Sequence, residues 1–160
     1  MISINLICMG RLKEQYLRDA CAEYIKRLGV FCRIKVFELS PEHLPENPSQ
    51  ALIQAALNAE GRAILSKIPA GSRVYSLCIE GSQLSSEELS LDIENSAVSG
   101  TGSLVFIIGS SFGLSDEVKN RSDFKLSMSK MTFPHQLARL MLLEQVYRAF
   151  QIIAGGKYHK

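Results

Sequence analysis

The most constraining stretch of this chain is Leu104-Val105-Phe106-Ile107-Ile108, five apolar residues without polar alternation, closed by Gly109. A strand with one face in water alternates apolar and polar side chains. An unbroken run therefore suits a strand covered on both faces, as in a parallel sheet between two helix layers. The remaining pattern supplies those layers. Residues 2–9 read as a first strand, broken by Gly10-Arg11-Leu12-Lys13. Leu17, Ala20, Cys21, Tyr24, Ile25 and Leu28 then recur at helical spacing up to Gly29. Residues 33–39 alternate as a second strand, and Pro41, Pro45 and Pro48 impose a long loop. Residues 49–68 form a long helix and residues 73–79 a third strand ending at Glu80-Gly81, after which Ser85 and Glu88 have capping-box spacing. Beyond the fourth strand come a short helix (115–120), a last strand (124–128) and a final helix running from Pro134 to Ala154. Strands interleaved with helices in this way predict an α/β fold, read as one domain over residues 1–160.

Composition narrows the functional classes. With 46% hydrophobic and 21% charged residues the chain can bury a core, and a net charge of +2 is too small for a purely electrostatic nucleic-acid clamp. An RNA partner would have to be held by a local basic patch and by shape. Cys8, Cys21, Cys32 and Cys78 form no C-x-x-C pair and have no histidine at finger spacing, so no metal site is expected. The absence of a basic leader and of any apolar stretch of about 18 residues predicts a cytoplasmic protein that makes no use of a membrane.

Ligands of open parallel sheets sit beyond the carboxyl ends of the strands. Three such ends are unusual here: Glu80-Gly81, residues 109–113, and residues 128–133. Neither G-x-G-x-x-G nor a P-loop occurs, and the glycines alone fit simple turn punctuation equally well. Residues 127–135 are too polar for a buried strand. They either merely connect strand to helix, or present main-chain groups to a neutral ring edge between Met128, Met131 and Phe133. The final helix is apolar nearly all round, and because the sheet can cover one face only, a second copy of the chain is the expected cover. Glu144 and Arg148 stand at i,i+4 and serve as an ion pair or in catalysis. Arg139 is either a solvated charge or a phosphate contact. His135 and His159 are candidate proton carriers, and the basic tail ending in Tyr158-His159-Lys160 either holds an RNA loop or frays.

Taken together, Phe106-Ile107-Ile108-Gly109, residues 126–135, Glu144-Gln145-Val146-Tyr147-Arg148-Ala149 and the closing Tyr158-His159-Lys160 resemble the RlmH family. The similarity includes Gly10-Arg11-Leu12-Lys13 and the first helix, and extends over essentially the whole chain. That resemblance implies a SPOUT-class methyltransferase: a parallel sheet with helices on both faces, and a carboxyl-terminal trefoil knot that forms an S-adenosylmethionine pocket. It further implies a homodimer that methylates N3 of a pseudouridine in helix 69 of 23S rRNA within assembled ribosomes. Carried over by motif, Leu77, Gly109, Met128, Ser129, Lys130, Met131, Thr132 and Phe133 would line the cofactor pocket. Ser110 stands where the family commonly has a second glycine, and its Cβ narrows the permitted backbone.

Transfer to a pseudouridine N3 requires that its proton leave, so a base or an anion-stabilising environment is expected. His135, His159 and Glu144 are the available acceptors, with Arg148 to stabilise charge or orient the base; Arg139, Tyr158, His159 and Lys160 are the candidate RNA contacts. In a dimer the tail of one subunit would complete the pocket of the other. The competing reading is a non-catalytic, ribosome-binding homodimer with a vestigial pocket. A small α/β hydrolase lacks the G-x-S-x-G elbow.

Overall fold

The computed structural model describes residues 1–158. Ten elements follow one another: β1 (Ser3–Met9), α1 (Gln15–Leu28), β2 (Arg33–Leu39), α2 (Gln50–Leu65), β3 (Arg73–Ser82), α3 (Ser86–Val98), β4 (Ser103–Ile108), α4 (Asp116–Arg121), β5 (Phe124–Leu126) and α5 (His135–Ile153). The strands form one sheet in the order β2-β1-β4-β3-β5, and every pairing is parallel. The unbroken apolar run occupies the central strand, where Leu104, Val105, Phe106 and Ile107 are fully buried.

Side-chain alternation then sorts the core into two layers. Ile4, Leu6, Cys8, Leu104, Phe106 and Ile108 share one cluster with residues of α1, α3 and α5. Ile7, Met9, Val105 and Ile107 share the other with Ile64 of α2 and Val118 of α4. All four cysteines are free and buried.

Most elements begin where the sequence predicts. Ser85 and Glu88 make the full capping box, the Ser85 side chain accepting the Glu88 N–H and the Glu88 side chain accepting the Ser85 N–H. Ser49 and Ser115 cap α2 and α4 by accepting the N–H groups of Leu52 and Val118. Three expected boundaries are corrected. Helix α2 stops at Leu65, because Ser66 Oγ donates to the Ala63 carbonyl and the Lys67 and Ile68 amides turn back in short i→i−3 bonds. Strand β3 runs on to Ser82, and β5 ends at Leu126 rather than Met128. Both shifts have one cause: β3 and β5 are irregular between Leu77 and Ser82, and past that step Ser82 pairs with Leu126 while the Ser127 amide donates to the Ser82 carbonyl.

Helix α5 finds part of its cover within its own chain. Helix α5 packs against both α1 and α3 of its own chain as well as the sheet. Ala138, Leu142, Leu143, Val146, Ala149 and Phe150 are buried, while Leu137 at the start of the helix stays 37% exposed. The neighbouring helices therefore cover two flanks of α5 beyond the face laid on the sheet.

Candidate active site

The three strand ends singled out in the sequence lie side by side. Register pairs Ser76 with Ile107 and Leu77 with Leu126, so Leu77 stands between the end of β4, at Ile108-Gly109, and the end of β5. At about 4.8 Å between adjacent strands, the three ends span roughly 10 Å, the breadth of a nucleoside.

Each end is locked by close main-chain approach. A Cβ on Gly81 would sit 2.5 Å from the Lys125 carbonyl oxygen, and one on Gly109 would run into the Gly113 carbonyl. At both places only glycine lets the chains touch. Gly113 itself has φ +90°, and its amide donates to the Ser110 carbonyl at 2.9 Å. Residues 127–133 are tied to one another: Ser127 Oγ donates to the Ser129 carbonyl at 3.0 Å, and the Met131 amide donates to Ser129 Oγ at 3.0 Å. Met128 packs onto the core, while Met131 is held out to solvent at 74% exposure. Among the described residues no hydrogen bond engages the main chain of Lys130, Thr132 or Phe133. Main-chain groups left without a protein partner suit a purine-like ring edge, which needs donors and acceptors but no counter-charge.

The loop after β1 joins the site through α5. The Gly10 carbonyl accepts from Arg139 Nη2 at 2.9 Å, and the Lys13 amide donates to Gln136 Oε1 at 2.8 Å. Arg139 is only 4% exposed, and its Nη1 donates to Glu38 Oε2 at 2.7 Å. The solvated-charge alternative for Arg139 is thereby corrected: β1, β2 and α5 enclose it, and Glu38 supplies its counter-charge. Glu38 and Gln136 carried no signal in the sequence, since only the sheet order brings β2 beside the start of α5. His135 opens α5 next to residues 128–133. Burial, with the positive charges of Arg139 and Lys13, holds its imidazole below the ordinary value near 6.5.

A second group forms at the far end of α5. Glu144 Oε1 accepts from Arg148 Nη2 at 2.6 Å and from Tyr158 Oη at 3.1 Å, while Glu144 Oε2 accepts from Gln145 Nε2 at 2.7 Å. Tyr158 lies edge-on to Tyr147 with ring centroids 5.0 Å apart, and the Arg148 guanidinium sits 4.7 Å from the Tyr158 ring centroid. The bond to Glu144, the neighbouring Tyr24 hydroxyl and burial push the Tyr158 phenol upward, so it stays a donor at neutral pH; of these, the Tyr24 hydroxyl is the largest influence. The predicted Glu144, Arg148 and Tyr158 thus come together, whereas His135 stands about 13 Å away along α5 at about 1.5 Å per residue. His159 and Lys160 lie outside the described residues. Among the described residues no group of three or more His, Cys, Asp or Glu side chains gathers as a metal site would require, and no helix is long and apolar enough to cross a membrane.

Comparison with known proteins shows the family. Residues 2–159 match the family model described as a predicted SPOUT methyltransferase. Proteins called ribosomal RNA large subunit methyltransferase H are similar over 99% of this chain and 100% of their own length. The one from Lactococcus lactis subsp. cremoris (strain SK11) is 48% identical over 159 residues. Those from Carboxydothermus hydrogenoformans and Bacillus cereus (strain ATCC 14579) are 48% and 49% identical. The chain belongs to the RlmH family of SPOUT methyltransferases. The adjoining ends of β4, β3 and β5 form one candidate site, and the Glu144–Arg148–Tyr158 group is a separate polar centre on the same helix that begins beside it.

Proposed function

We propose that this chain, a single SPOUT domain over residues 1–160, methylates N3 of a pseudouridine in helix 69 of 23S rRNA on assembled ribosomes in the cytoplasm. It does so as a homodimer with S-adenosylmethionine as donor. The observation that carries the reading is the alignment of three strand ends beside a self-bonded loop, in a chain nearly half identical to proteins named for ribosomal RNA methylation. Leu77, Gly109 and residues 128–133 would hold the cofactor through main-chain groups and apolar contact. The threaded carboxyl-terminal segment implied by the resemblance belongs to the same reading. When bound, the cofactor supplies an electrophilic methyl group on a sulfonium.

The protein's own share is alignment and charge management. His135 is held neutral at physiological pH by burial and by adjacent cations, so its ring can accept a proton at the mouth of the loop. Glu144 fixes Arg148 and Tyr158 in place through Oε1, while Oε2, which accepts from Gln145, keeps lone-pair capacity for a proton. Arg148 offers positive charge to an imide anion. Tyr158, His159 and Lys160 are the proposed RNA contacts; Arg139, enclosed behind Glu38, anchors the start of α5. The distance between the two groups along α5 favours a site completed across the dimer, one subunit giving the strand ends and its partner the tail.

Incubation with intact ribosomes and labelled S-adenosylmethionine, followed by mass spectrometry of the rRNA, tests target and activity together. Label in one helix 69 fragment is expected. Ribosomes that remain unlabelled, while calorimetry detects no cofactor binding, would leave a ribosome-binding protein without catalysis.

A further inference from the structure

The loop that follows β4 is braced from outside the site by two consecutive residues of α2. Glu60 is 5% exposed; its Oε1 accepts from Ser110 Oγ at 2.7 Å and its Oε2 accepts from the Glu42 amide at 3.1 Å. Gly61, the next residue, backs so closely onto Ser115 Oγ that a Cβ there would overlap it. One turn of α2 therefore holds both ends of the segment between Ser110 and Ser115. An open cleft bounded by Pro41, Leu44, Leu57 and Phe112 separates that segment from the proline-rich loop, and Glu60 lies between them. Burying a carboxylate is costly, and both donors to Glu60 are neutral, so the arrangement is a poor device for stability alone. What it does achieve is a defined position for Ser110, and hence for Gly109 immediately before it.

We propose that Glu60 is a positioning residue for cofactor binding: through the Ser110 hydroxyl it sets the backbone from Gly109 to Gly113 that closes one side of the methyl-donor site. The inference rests on the functional reading above. It also explains why serine works at position 110. The Cβ restricts the loop, and the hydroxyl it carries is seated on a buried acceptor.

The test compares Ser110→Ala, Ser110→Thr and Glu60→Gln in the full-length protein. Amide exchange without any cofactor is expected to rise at residues 110–114 in Ser110→Ala and to stay near wild type in Ser110→Thr. Calorimetric affinity for S-adenosylmethionine is expected to fall roughly tenfold in Ser110→Ala, the scale of one lost hydrogen bond to a charged group. At saturating cofactor, kcat is expected to stay within about twofold, because the lost bond acts on binding. Glu60→Gln keeps an acceptor for Ser110 but sets an amide N–H₂ against the Glu42 N–H, so it is expected to fall between the two. Combining Glu60→Gln with Ser110→Ala should add little to Ser110→Ala alone. A folded Ser110→Ala protein with wild-type exchange and wild-type affinity overturns the proposal while leaving the cofactor reading intact. Wild-type protein that binds no S-adenosylmethionine overturns both.

Discussion

Arg139 Nη1 lies 2.7 Å from Glu38 Oε2, and the second guanidinium nitrogen donates to the Gly10 carbonyl at 2.9 Å, so one buried side chain ties α5 to the ends of both β1 and β2. The Arg139 side chain is 5% exposed and that of Glu38 37%. Removing the arginine strands a half-buried carboxylate and an unsatisfied carbonyl. Arg139→Ala is expected to lower unfolding free energy by about 2–3 kcal/mol once solvent screening of Glu38 is allowed for. Glu38→Gln, which keeps a neutral acceptor, should cost less. Urea denaturation of both variants measures the difference; equal stability of Arg139→Ala and wild type would mean that the Arg139–Glu38 pair does not hold α5 in place.

Tyr158→Phe removes the hydroxyl bonded to Glu144 but keeps the ring against Tyr147 and Arg148. Ribosome methylation is expected to drop about tenfold, in line with one lost hydrogen bond to a charged group, with cofactor affinity unchanged. Deleting residues 158–160 should abolish methylation and spare cofactor binding. Full turnover by the truncated protein would remove the tail from the site.

His135 introduces a pH dependence whose sign follows from its environment. Burial, with Arg139 and Lys13 nearby, lowers its pKa on folding from about 6.5, so between the two values the unfolded chain binds a proton that the folded one does not. Its contribution to stability is complete above about pH 6.5 and is lost as pH falls through the folded value. Melting temperatures followed below pH 7 should decline more steeply for wild type than for His135→Gln. Parallel curves would mean that the imidazole is as solvated in the fold as in the unfolded chain.

Gly81→Ala places a Cβ against the Lys125 carbonyl, which is main chain and cannot swing aside. A loss of about 2 kcal/mol or more is expected, together with weaker cofactor binding, because the same strand step carries Ser82 and the start of the 127–133 loop. Gly71→Ala, where the space is open but φ is +73°, serves as a control for backbone strain alone. If the two variants lose the same stability and both keep cofactor affinity, the close approach at Gly81 has no special weight.

The four thiols should be inert while the protein is folded. Burial pushes the Cys8 and Cys32 thiols up to about 12 and also raises Cys21 and Cys78. Aromatic disulfide reagents at pH 8 are expected to modify all four only in denaturant; rapid modification of the native protein would show that the core opens.

Local chemistry was legible because it acts over a few residues. The unbroken run at residues 104–108 marked the central strand, Ser85 and Glu88 marked a helix start, and prolines 41, 45 and 48 marked a loop. The spacing of Glu144 and Arg148 anticipated their ion pair, found at 2.6 Å. The rule that ligands sit beyond strand ends pointed to residues 128–133, and family resemblance added Leu77. Strand order, by contrast, depends on which surfaces bury the most apolar area once all are present, and no local pattern encodes it. That order alone puts Glu38 against Arg139, sets Leu77 between the ends of β4 and β5, and carries Glu60 to Ser110 across fifty residues of sequence. The same competition for buried surface packs α1 and α3 onto two flanks of α5. Sequence determined the elements and their chemistry; packing decided which of them meet.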